Sequence, residues 1–149
     1  MPRVLAPWFP RFSFLLPLLL GGCAVMLVGS YDPVTDTAIQ ELAKNTEVFI
    51  AGVTVSGDSY SKRANFYNEA EGSLRAIEMR ASLYPKNEAE LELIARLRAA
   101  YKNLRSIHQE VGPFREREAE GVRSLLRSLL HHELSKKRSA GVGAPVAAP

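Results

Sequence analysis

Residues 84–90, YPKNEAE, decide how this chain folds. Pro85 has no N–H for a helical hydrogen bond and its ring clashes with the turn before it, so a helix reaching Tyr84 must stop there. Asn87 is an N-cap residue type, and Glu90 follows at the capping-box distance. Glu88 and Glu90 also put two acids in a first turn, where the positive end of the helix dipole favours them. One helix therefore ends and another begins within a few residues, and so short a connection forces the two to run antiparallel.

The same punctuation recurs on both sides. Upstream, Ser56-Gly57 ends one periodic segment and Asp58 or Ser59 caps the next. Downstream, Gly112-Pro113 makes a third break. Asp32-Pro33 opens the series, with Asp as cap and Pro at the first helical position. Between these breaks, apolar residues recur at helical spacing. The first stripe holds Ile39, Leu42, Ala43, Phe49, Ile50 and Val53, and the second Tyr60, Tyr67, Ala70, Leu74, Ile77, Ala81 and Tyr84. The third holds Leu91, Ile94, Leu97, Tyr101, Leu104 and Val111, widened by Leu93, Ala100 and Ile107. The fourth holds Val122, Leu125, Leu126, Leu129, Leu130 and Leu134. The β-branched run VFIAGVTVS reads as helix, because no other segment offers it a partner strand.

Four helices of about 24–27 residues, each about 36–40 Å long, predict an all-α fold. Its architecture is an antiparallel up-down-up-down four-helix bundle over residues 32–138. No heptad is regular enough to predict a long coiled coil. Residues 139–149, small and Pro-rich, read as a disordered tail.

The chain has 149 residues, 19 Lys plus Arg and 16 Asp plus Glu. Arg3 and Arg11 lie in residues 1–22, which carry no acid, so the remainder has 17 basic residues against 16 acidic ones. So balanced a body gives no electrostatic reason to expect nucleic-acid binding. A single cysteine, Cys23, excludes an internal disulfide and any multi-cysteine metal site.

That cysteine sits in the most apolar stretch, residues 12–28. About 17 residues is at the short edge of a membrane span, and Pro17 with Gly21-Gly22 weakens a continuous helix. Basic residues, an apolar run and small residues follow in the order of a secretion signal. Leu20-Gly21-Gly22-Cys23 resembles the lipobox of bacterial lipoproteins. The resemblance implies removal of residues 1–22 as a signal peptide and a diacylglycerol plus an N-acyl chain on Cys23. Ala24, rather than Asp, after the cysteine implies the outer membrane, facing the periplasm, over the inner one. Residues 23–31 are then the lipidated cysteine and a tether, the stretch from 24 being about 25 Å long when fully extended. Tyr31-Asp32-Pro33, Asn65-Phe66-Tyr67 and the Lys136-Lys137-Arg138 run resemble small uncharacterised helical lipoproteins of Gram-negative bacteria, which implies no activity.

Few residues suggest chemistry. His131 and His132 are weak metal candidates, since adjacent helical side chains point about 100° apart. His108, near the end of the third helix, lies roughly 25–30 Å from them. No nucleophile elbow, phosphate loop, haem-attachment motif or Glu-x-x-His pair is present. The expectation is a protein that is not an enzyme, with no catalytic residue, metal or cofactor besides the lipid. It anchors to the membrane and binds another envelope protein, and its alternative role is a small-ligand or metal-carrying bundle. Arg63 and Arg80, on or beside the second apolar stripe, either pair within the bundle or face a partner. Lys136, Lys137 and Arg138 complement the dipole of the fourth helix or touch anionic headgroups. At the tethered pole they are expected to meet Asp32, Asp36, Glu88 and Glu90.

Overall fold

The computed structural model describes residues 29–141. Four helices fill that span: α1 Pro33–Thr54, α2 Tyr60–Ala81, α3 Glu88–Glu110 and α4 Glu116–Ser139. The signal segment, Cys23 and residues 142–149 lie outside the described residues. Among the described residues, no helix is long and apolar enough to cross a membrane.

Each helix packs on its two neighbours in chain order, and α1 and α4 close the ring. The diagonal pairs α1/α3 and α2/α4 stay apart, leaving a central space that side chains fill. This is the four-helix bundle read from the breaks in the sequence. The helices are 22, 22, 23 and 24 residues long. They fall short of the expected length mainly because the turns take more chain. Helix α2 ends at Ala81, and residues 82–86 form a turn in which Lys86 has a positive φ of 63°.

The caps follow the sequence in part. Asp32 accepts a hydrogen bond from the Val34 N–H at 3.1 Å, with Pro33 opening the helix behind it. Asn87 occupies the N-cap position of α3, but its amide Nδ2 donates instead to the Ala81 carbonyl at 3.0 Å and ties down the end of α2. Gly57 and Gly112 make the other two turns with φ of 67° and 95°, a region that side-chain-bearing residues rarely adopt. The Arg115 N–H donates to Glu118 at 3.0 Å and stabilises the start of α4.

The buried positions are more regular than the apolar ones. In α3 they are Glu90, Ile94, Leu97, Tyr101, Leu104 and His108, and in α4 Ala119, Val122, Leu126, Leu129, Glu133 and Lys136. The steps alternate between three and four residues, the spacing of left-handed bundle packing. The heptad pattern that looked too loose in the sequence is thus present, with polar residues at its ends. Two expected core residues are displaced accordingly: Val111 is 79% exposed and Leu134 43% exposed.

The two ends of the core differ in kind. Away from the pole where the described chain enters it is aromatic. Phe49 stacks on Phe66 with ring centroids 3.9 Å apart and meets Tyr67 edge-on. His108 is enclosed there, its ring nitrogens 3.1 Å from the Tyr67 hydroxyl and 2.9 Å from the Asp58 carbonyl. In mid-core, Thr46 and the Tyr101 hydroxyl bridge the α1/α3 diagonal. Toward the pole where the described chain enters, the interior becomes aliphatic and then charged.

Candidate functional site

The charged end is built by the last turn and a half of α4 against the first turn of α3. Lys136 is 1% exposed, and its Nζ donates to Glu90 Oε2 at 2.5 Å and to Glu133 Oε1 at 2.7 Å. Both glutamates are 0% exposed. Helix spacing explains the convergence: Glu133 and Lys136 are three residues apart on one face of α4, and Glu90 stands in the same layer on α3.

Burying three charges is costly unless each is paired and fully hydrogen-bonded. Here the pairing is incomplete. Glu90 Oε1 and Glu133 Oε2 are buried with no hydrogen-bond partner, and so is His132 Nε2 beside them. One donor atom from each of Glu90, His132 and Glu133 lies within 4.8 Å of the others. Burial pushes the Glu133 carboxyl up to about 7, against the lowering effect of its bond to Lys136, and the charge of Glu90 adds to the rise. For Lys136, burial works against the charge, but the hydrogen bonds it donates to Glu133 and Glu90 outweigh it and hold the ammonium above its ordinary range. Burial lowers His132 and favours the neutral imidazole, with Glu90 partly opposing.

Around this cluster the pole is tied to the first described residues of the chain. The Tyr31 hydroxyl donates to Asp36 Oδ2 at 2.7 Å, a bond that with burial pushes the phenol up to about 12. Lys137 Nζ lies 5.7 Å from the centre of the Tyr31 ring. Gly29 is buried against Asn87 so closely that a Cβ there would collide with the amide. Asp32 receives Arg80 Nη2 at 2.8 Å and the Thr35 hydroxyl at 2.8 Å. Burial opposes the charge of Asp32, yet these bonds and the Val34 N–H hold its carboxyl below the ordinary range.

The residues singled out in the sequence therefore separate. Lys136 neither faces headgroups nor sits at the helix surface: its place in the three-four spacing turns it inward, between two glutamates. Arg138 is exposed, and Lys137 covers Tyr31. Of the expected acid–base meetings at this pole, Glu90 with Lys136 is present, whereas Asp32 pairs with Arg80 and Asp36 with Tyr31 and Gln40. Arg80 is thus paired within the bundle, as is Arg63, which reaches back from α2 to Asp58. His131 is exposed beside Ser124, Arg127 and Ser128, while His132 turns toward the carboxylates. In the sequence Glu90 reads as a capping-box acid of α3 and Glu133 as a neighbour of the two histidines, and neither reading marks the residue as buried. The signal for both is that they continue the buried spacing of α3 and α4.

A second feature is an open cleft of 440 Å³ between α2 and α3, bordered by Glu71, Arg75, Arg98, Lys102 and Arg105. Arg75 and Arg98 are engaged there by Glu71 and Glu78, so the cleft is a surface of ion pairs. No protein-family model, curated protein or solved structure matches the chain.

Proposed function

We propose that this chain is a lipid-anchored, non-catalytic helical module of the bacterial cell envelope that binds another envelope protein. In this reading Cys23 carries the diacylglycerol and N-acyl chains and follows a cleaved signal peptide. The bundle faces the periplasm from the outer membrane. The observation that carries the reading is the seating of residues 29–32 on the charged pole, through Gly29 against Asn87 and Tyr31 against Asp36. Cys23 precedes Gly29 by six residues, at most about 20 Å of extended chain. That length keeps the domain at the bilayer surface, with the turns at residues 55–59 and 111–115 pointing outward. Val48, Val55 and Val111, each at least 60% exposed, are then available to a partner on the outward half.

Two acyl chains make release from a membrane negligible, whereas one binds only marginally. The Cys23→Ser chain should therefore leave the membrane fraction and take up no labelled palmitate. A Cys23→Ser chain that remains membrane-bound would remove the anchor from the proposal. Photo-crosslinkers at positions 48, 55 and 111 in intact cells should trap one recurrent envelope protein. Their failure to trap any would remove the partner. The alternative of a metal-carrying bundle is favoured by one specific feature, the cluster of Glu90, His132 and Glu133.

A further inference from the structure

That cluster stands independently of the membrane reading. Three residues that bring donor atoms together in the bundle each carry a buried polar atom without a hydrogen bond: Glu90 Oε1, Glu133 Oε2 and His132 Nε2. Leaving one such atom unmet costs about 1–3 kcal/mol, so three together call for a common partner. A water molecule or a shared proton would meet some of them. A cation meets all three at once, because carboxylate oxygens and a neutral imidazole nitrogen are acceptors.

We infer that Glu90, His132 and Glu133 form a binding site for one divalent transition-metal ion of the Zn(II), Co(II), Fe(II) or Mn(II) class. The donor atoms, within 4.8 Å of one another, stand slightly wider than a closed tetrahedral shell. Around zinc at about 2.0–2.2 Å, neighbouring ligands lie about 3.4 Å apart, so a bound ion would draw the three donors inward. Lys136 leaves one oxygen of each glutamate without a hydrogen bond. Its ammonium holds Oε2 of Glu90 and Oε1 of Glu133, and this orients the opposite oxygens, as outer-sphere groups do in metal sites. It also lowers the local negative charge. Two carboxylates and one ammonium leave a net charge of −1, too little to attract Ca(II) or Mg(II), which need more oxygen ligands than this site offers. The imidazole biases the site toward transition metals. Because the ligands come from α3 and α4 alone, the ion would staple those two helices at the tethered pole.

The test uses the untagged full chain in detergent, stripped with chelator and titrated with Co(II) at neutral pH. One equivalent should bind, producing visible d–d absorption that Zn(II) abolishes and millimolar Ca(II) leaves unchanged. His132 is only part-buried, so His132→Gln should fold and yet weaken binding about 100-fold or more, beyond the 10- to 100-fold typical of supporting groups. His131→Gln, one residue away and exposed, should bind as the parent does. Absence of saturable Co(II) binding would overturn the proposal. Equal loss in the two histidine variants, or displacement of Co(II) by Ca(II), would overturn it too.

Discussion

At the scale of single residues, Lys136 and Glu133 control the charged pole in opposite senses. Lys136 lies between two fully buried carboxylates and, among the described residues, is the only cation paired with them. Removing one partner of a buried ion group leaves uncompensated charge, at a cost of about 3–5 kcal/mol. Lys136→Met should destabilise by that amount, whereas Arg138→Met, at an exposed position, should stay within about 0.5 kcal/mol. Chemical denaturation of both variants checks the contrast, and equal effects would show that the run acts only through its total charge. Glu133 is an acid whose folded-state pKa is raised to about 7 from an ordinary value of 4.5. Between those values the folded chain holds a proton that the unfolded chain has released, so this residue's contribution to stability falls as pH rises. The slope approaches about 1.4 kcal/mol per pH unit. Glu133→Gln cannot lose that proton. Relative to the parent, it should gain stability between pH 5 and pH 8, which urea midpoints at the two pH values would show. A parallel shift at both pH values would exclude a raised Glu133.

At the scale of helices, the turns and the apolar stripes were legible from Pro, Gly and spacing, because backbone sterics operate locally. The ends of the stripes were not. Glu90 looks like a first-turn acid facing the dipole, and Lys136 like a C-terminal cation, since local helix rules assign each a solvated role. Only the register of the neighbouring helix reveals that positions 90, 133 and 136 fall on the buried layer. Leu134 misled in the same way: hydrophobicity drew it inward while the three-four spacing turned it out. His132 stands beside His131 and Glu133 in the sequence, but that Glu90 joins it from α3 is visible only in the fold. Glycines give a test of the same distinction between local and tertiary control. Gly72 in α2 and Gly121 in α4 have open space where a Cβ would stand. Alanine at either should stabilise by about 0.5–1 kcal/mol through helix propensity. In α1, a Cβ on Gly52 would press on Arg63, which is bound to Asp58. Gly52→Ala should therefore gain less than Gly72→Ala or lose stability, as thermal melts of the three variants would report.

At the scale of the whole molecule, the ring of helices leaves no pair to stand alone. The backbone of each helix packs only on its two neighbours, and the centre is closed by side chains from all four. The aromatic half and the charged half share the same helices, so neither can melt without loosening the other. Unfolding should accordingly be a single transition, as is usual for small domains. Backbone helicity and the near-ultraviolet signal of Tyr67 and Tyr101 should give the same midpoint. A separate earlier loss of the tyrosine signal would mean that the aromatic half unfolds by itself. The even number of helices has one more consequence. Residues 31 and 137 touch across the pole where the described chain enters and leaves. Joining those ends through a short linker and opening the backbone at Gly57 or Gly112 would give a circular permutant that keeps every helix intact. It would carry both new termini, and any reporter fused to them, on the aromatic end of the bundle.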